Sequence, residues 1–307
     1  FLAANPSLSP SLAIATDKIN LLIKSQINIG KKYISLPQAV SFPTSENDTA
    51  HAFYYPPTNA EAEFSAAPPM IFICHGGPTG ASSTALSLKI QYWTSRGFAV
   101  MDVNFRGSTG YGRHYREKLY RRWGEIDVDD MCYAADYAVT KGWADPQKLV
   151  IKGGSAGGYT ALACLCFKKT FSAGVSLYGI GDLHALTEDT HKFEAHYLDQ
   201  LIGDPITERA LYSQRSPINF VDNIQCPILV FQGLEDKVVP PNQAVNMVKA
   251  VEKQGIPVAY ISFADEGHGF RNPSNIKTML DAEHSFYCQI FQLPHPPELQ
   301  QLAIKNL

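Results

Sequence analysis

A serine at position 155 sits inside KLVIKGGSAGGY, residues 148–159, where a short apolar run meets Gly153-Gly154-Ser155-Ala156-Gly157 and then a helix-compatible segment. A serine so placed can attack a carbonyl carbon, provided a base takes its proton and an acid holds the base in one tautomer. The GxSxG spacing between a strand and a helix demands a very tight turn, with glycines where side chains would strike neighbouring backbone. The helix that follows directs free N–H groups and its positive dipole end at any anion formed beside Ser155.

Base and acid should follow the serine in the order acid, then histidine. The loop GLEDKVVP after the apolar run PILVFQG offers Asp236, and the loop DEGHGF after VAYISFA offers His268 between Gly267 and Gly269. His75 and His114 precede the serine, while His184, His191, His196, His284 and His295 fall in excursions or terminal helices. Glu235, Asp265 and Glu266 read as solvated carboxylates beside the two loops. An oxyanion needs at least two aligned donors. The N–H of Ala156 is one, and Gly77 in His75-Gly76-Gly77-Pro78 is the other, with Gly76 in reserve. Tyr178, Leu183 and Val239 lie near strand ends and suit an apolar substrate slot, although each is equally readable as core. Arg106 suits a substrate carboxylate or carbonyl, or else a buried ion pair tying loops together.

These loops must be positioned by a sheet. From Tyr33 the chain reads as extended pieces, KYISLP, AVSFPT and HAFYYPP, which suggest antiparallel strands opening that sheet. PMIFICHGG follows as a strand buried on both faces, then the helical stretch ASSTALSLKIQYWTSR, then GFAVMDVNF. Helical spacing of Met131, Tyr133, Ala134, Tyr137 and Ala138 marks the next helix, with Asp127, Asp129 and Asp130 at its start. Strands and helices then alternate to the end, apart from a polar and helical excursion from Asp182 to Asn223. Five or six buried strands alternating with helices imply a mainly parallel sheet covered on both faces, with ligands at the carboxyl ends of its strands.

The chain of 307 residues, 45% hydrophobic, is long enough for one large α/β core. A formal net charge of −3 offers no field for nucleic acid or an anionic membrane, and no apolar run approaches the eighteen or so residues of a membrane span. The basic run from Arg113 to Arg122 precedes acids from Glu125 to Asp130 and reads as a solvated face. Cys74, Cys132, Cys164, Cys166, Cys226 and Cys288 mostly sit in apolar runs and read as reduced, with no metal pair. A cytoplasmic location is expected, without metal or cofactor. No nucleic-acid or membrane partner is expected, and a homo-oligomer is left open.

GGSAGGY, HGGPTG, NFRGSTGYG, RSPINF, CPILVFQGLEDKVVP and EGHGF, in that set, resemble the catalytic domain of the prolyl oligopeptidase family, nearest its acylaminoacyl peptidase and dipeptidyl aminopeptidase branch. The resemblance covers about residues 34 to 293. It implies an α/β-hydrolase fold over residues 34–307, a Ser155, Asp236, His268 triad and cleavage of short peptides. It also implies that residues 1–33 are a linker following a propeller domain absent from this chain. Gln232 stands where many relatives have histidine, and His75 where some branches place a tyrosine hydroxyl, which points to main-chain oxyanion donors. A carboxylesterase on the same triad is the nearest alternative, and a non-catalytic binding protein on a hydrolase scaffold a more distant one.

Overall fold

The computed structural model describes residues 1–23, 29–64, 67–189 and 196–307. His191 lies outside the described residues. β1 (Leu2–Asn5), β2 (Leu8–Ala15) and β3 (Ile19–Ile23) form a small antiparallel sheet. The main sheet contains β4 (Gln38–Thr44), β5 (Asp48–Tyr55), β6 (Met70–Cys74), β7 (Ala99–Asn104), β8 (Leu149–Gly154), β9 (Ala173–Leu177), β10 (Ile228–Gly233) and β11 (Val258–Phe263). Its order is β11-β10-β9-β8-β6-β7-β5-β4. β4 and β5 pair antiparallel, as does β5 with β7, and the remaining pairings are parallel.

The helices are α1 (Leu88–Thr94), α2 (Arg113–Glu117), α3 (Ile126–Thr140), α4 (Ala156–Phe167), α5 (Leu183–Asp189), α6 (Tyr197–Leu201), α7 (Arg209–Arg215), α8 (Pro241–Lys253) and α9 (Pro273–Ile290). Successive strand residues serve opposite faces of the pleat. Phe72, Met101, Ile151 and Val230 share a core with Met131 of α3, Leu162 of α4 and Met247 of α8. Their neighbours Ile71, Val100, Val150 and Leu229 pack with Trp93 of α1 and Phe286 of α9. Both faces of the sheet are thus covered, and this is the α/β-hydrolase arrangement.

Two expectations differ from the structure. KYISLP is not a strand: Lys31–Tyr33 make one tight turn, and the backbone of Ser35 is satisfied by the Gln91 side chain, which accepts from its N–H at 2.7 Å and donates to its carbonyl at 3.1 Å. The helix expected from Ala81 begins only at Leu88, because Ser82 is held by Asn104 and Asp102. Within the segment 1–33 expected as a linker or remnant, residues 2–23 form a meander whose β2 turns Ser9, Ser11 and Ala13 inward and leaves Leu12 and Ile14 exposed.

Buried polar groups fasten the helices to the sheet. Arg106, 1% exposed, bonds Asp130 of α3 through Nε at 2.9 Å and Nη2 at 2.8 Å, and also Ser45 Oγ at 2.7 Å. Asp127 accepts from Gly124 N–H at 2.7 Å and from Thr160 of α4 at 2.6 Å, joining α3 to the helix that follows Ser155. Asp130→Ala should leave the Arg106 charge buried without its main partner. A loss of about 3 kcal/mol in unfolding free energy is expected by denaturant titration.

Asp127 supplies a pH-dependent counterpart. Burial pushes its carboxyl up to about 6, against the hydrogen bonds from Thr160 and Gly124. The folded state therefore keeps a proton that the unfolded chain releases near pH 4, so stability falls as pH rises from about 4 through about 6. Asp127→Asn should flatten this part of the curve, read as denaturation midpoints across the window. Asp102, also raised to about 6 by burial, leaves a residual slope.

Candidate active site

The turn between β8 and α4 holds Ser155 at φ +56° and ψ −126°, a conformation costly for any residue with a Cβ and maintained here by surrounding contacts. A Cβ on Gly153 would lie 2.1 Å from the Gly157 carbonyl oxygen, and one on Gly157 would lie 2.2 Å from that of Cys74. Only glycine permits this approach, and the glycines flanking Ser155 in the sequence are explained by it. The Ser155 N–H donates to Leu177 O at 3.0 Å, which anchors the turn to β9.

His268 Nε2 lies 2.8 Å from Ser155 Oγ, and His268 Nδ1 lies 2.8 Å from Asp236 Oδ2. Asp236, in the loop after β10, is 4% exposed. Its Oδ1 accepts from the N–H groups of Val238 and Val239 at 2.9 Å each, and the Gln232 amide lies 3.4 Å from Oδ2. An ionised carboxylate accepts only, so Nδ1 carries the imidazole proton and Nε2 faces the serine as an acceptor. Gln232, near the end of β10, also donates to Val239 O at 3.1 Å and so ties the strand to the loop that carries Asp236. The geometry can move a proton from a serine hydroxyl to an imidazole and stabilise the resulting cation.

A cavity of about 270 Å³ opens beside Ser155. Gly77, Ala156, Val239 and His268 line it, as do Pro78, Trp123, Ile180, Leu186, Tyr197, Leu198 and Val238. Ala156 is the first residue of α4, where helical N–H groups have no partner one turn back. The two N–H-bearing residues expected around an oxyanion thus share one cavity with the serine.

The other expected substrate residues lie elsewhere. Tyr178 packs edge-on against His268 at 4.9 Å and against Phe270 at 5.3 Å, supporting the imidazole from behind the cavity. Leu183 is fully buried, its N–H donating to Ser216 Oγ. Arg106 is occupied by Asp130 and by the turn between β4 and β5, its side chain 1% exposed. His75 stacks on Phe105 at 4.3 Å and bonds Ser108 at 2.7 Å; burial lowers its pKa.

Trp123, Leu186, Tyr197 and Leu198 were invisible as lining residues in the sequence, because the helices that carry three of them lie in an excursion with no strand to place it. Their apolar and aromatic types were the available signal.

Glu266 departs most from expectation. Glu235 and Asp265 are exposed, but Glu266 is 3% exposed. Its carboxylate accepts from the N–H groups of Arg271 and Asn272 at 2.9 Å each, closing the loop that carries His268. Its carbonyl accepts from Glu235 N–H at 2.9 Å, binding that loop to the one bearing Asp236. Burial raises the Glu266 carboxyl, but the Arg271, Asn275 and Asn272 donors outweigh it and hold the group below the usual glutamate range.

A hydrogen-bonded serine, histidine and aspartate at the carboxyl ends of a mainly parallel sheet are the arrangement of the α/β-hydrolase class. A family model described as the prolyl oligopeptidase family matches residues 84–294, and the chain belongs to that family. Dipeptidyl aminopeptidase BIII of Pseudoxanthomonas mexicana is 34% identical over 81% of this chain and 38% of its own length. The acylamino-acid-releasing enzyme of Arabidopsis thaliana is 30% identical over 67% of the chain and 28% of its own. A Mycobacterium tuberculosis puromycin-hydrolyzing peptidase of known structure superposes with a TM-score of 0.94 at 41% identity, over 99% of this chain and 47% of that one. The chain spans less than half the length of these relatives.

Among the described residues, no helix is long and apolar enough to cross a membrane. Glu266→Ala should lower the rate of Ser155 acylation by about ten-fold or more without unfolding the protein, measured with a chromogenic ester under single-turnover conditions.

Proposed function

We propose that this chain is a serine peptidase that hydrolyses short peptides, of acylaminoacyl or dipeptidyl type, through an acyl-enzyme on Ser155. The observation that carries the reading is the continuous hydrogen-bonded line from Asp236 through His268 to Ser155, with 2.8 Å at both imidazole nitrogens. His268 takes the hydroxyl proton as Oγ bonds the carbonyl carbon, and Asp236 stabilises the imidazolium. The N–H groups of Ala156 and Gly77 receive the negative charge that develops on the carbonyl oxygen. The C–N bond then breaks, His268 delivers its proton to the departing amine, and water releases the acyl group by the same steps in reverse order. The apolar cavity, with Val239 in its wall, receives the side chain on the acyl side.

The relatives' names support both ends of this range. Dipeptidyl and acylamino-acid-releasing enzymes each match at 30% identity or more. Puromycin, named for the structural neighbours, joins the substrates to be tried. The proposal also takes residues 1–33 as the connection from a preceding propeller domain. In support, Leu12, Ile14, Leu22 and Ile23 are exposed on the small sheet, and the neighbours of known structure are about twice as long as this chain. The reduced state of six unpaired cysteines suits a cytoplasmic location.

Ser155→Ala should abolish turnover and fluorophosphonate labelling while leaving the fold intact. An unlabelled but folded wild-type protein would point instead to a binding role. Rates on dipeptidyl and acetyl-aminoacyl amides, compared with the matching esters and with puromycin, distinguish the peptidase from the esterase. A chain that cleaves the esters alone would overturn the peptidase assignment.

A further inference from the structure

The loop Gly76–Gly80 carries Gly77, one of the two proposed oxyanion donors, and its position sets how well that donor meets the developing charge. Behind the loop, His75 joins Gly76 O at 2.9 Å and Ser108 Oγ at 2.7 Å, and Thr109 N–H donates to Gly80 O at 2.8 Å. On the cavity side the tie is Tyr197. Its hydroxyl oxygen accepts from Thr79 N–H at 3.3 Å and shares a 2.6 Å bond with Thr79 Oγ1, across 118 residues of chain. Tyr197 opens α6, and both it and Leu198 line the cavity beside Ser155.

We propose that Tyr197 is a positioning residue for acyl transfer: its hydroxyl fixes the oxyanion loop through Thr79, and its place in the cavity wall makes that fixation sensitive to the occupant. The proposal rests on the serine-hydrolase reading above. A ring in the wall contacts bound substrate, whereas the hydroxyl at its tip holds the backbone two residues beyond Gly77. The bond is worth most where charge develops on the carbonyl oxygen, since donors that are already aligned need no reorganisation at that moment. Loss of the hydroxyl should therefore slow the chemical step more than it weakens ground-state binding.

The test is a double-mutant cycle on Tyr197→Phe and Thr79→Val, read as kcat and KM on one amide substrate, with melting curves for each variant. Tyr197→Phe keeps the ring and should lower kcat by about ten-fold or more, with KM within about three-fold of wild type. Thr79→Val should lower kcat in the same sense, the double variant should be no worse than Tyr197→Phe, and Thr79→Ser should retain wild-type rate. An unchanged kcat in Tyr197→Phe, a loss confined to KM, or fully additive losses would overturn the role. Should Tyr197→Phe fail to fold, the Thr79→Val and Thr79→Ser pair reads the same bond from its other end.

Fluorophosphonate labelling separates the layers of the argument. A wild-type protein that does not label overturns the hydrolase reading and the role of Tyr197 with it. A wild-type protein that labels, with an equal rate in Tyr197→Phe, overturns the role of Tyr197 alone.

Discussion

The contact on which the rest depends is the approach of the first turn of α4 to the end of β6, close enough that a methyl group at Gly157 would overlap the carbonyl oxygen of Cys74. That approach presses the Ser155 turn against the loop leaving β6, so the hydroxyl and the main chain of Gly76–Gly77 occupy one corner. A Cβ on Gly76 would sit 3.3 Å from the Gly154 carbonyl, which shows how little room separates the two loops. The positive φ of Ser155 is the local cost of this packing, and the hydrogen bond from its N–H to β9 helps to hold it.

Around that corner, polar groups without solvent do the fastening. Asp127 joins α3 to α4, Arg106 joins α3 to the turn between the antiparallel strands, and Lys152 of β8 bonds both carboxylate oxygens of Glu283 in α9. Tyr287 donates to the same Glu283 carboxylate at 2.7 Å. The strand that delivers Ser155 is therefore tied to helices on both faces of the sheet. Pairs of this kind set geometry more surely than they add stability, because desolvation offsets much of their attraction.

Legibility in the sequence followed local necessity. The serine turn, the acid loop and the histidine loop could be read because each needs a special backbone or an abrupt strand end, and glycine and turn residues record those needs directly. The alternation of buried strands with helices gave the sheet and its covering. What stayed hidden were contacts made by residues of ordinary type. Glu266 looks like any loop carboxylate until its two backbone donors, five and six residues on, fold back over it. Tyr178 and Leu183 lie near strand ends as expected, but one turns behind the imidazole and the other into the core, a choice that side-chain direction alone decides. Arg106 had both readings open, and burial beside Asp130 selected the ion pair. Ser35 lost its strand because a single glutamine from α1 supplied the ladder's hydrogen bonds.

The excursion between β9 and β10 has a consequence for how this scaffold can diversify. Leu186 of α5 and the Tyr197–Leu198 pair of α6 bring the excursion into the wall beside Ser155, while Ser155, Asp236 and His268 sit on strand-end loops outside it. Transplanting that segment from a relative would carry a new chamber onto an untouched Asp236–His268–Ser155 line. It would also carry, or omit, the phenol that bonds Thr79 on the opposite rim, so a graft chosen for fit alone would alter how the loop leaving β6 is held.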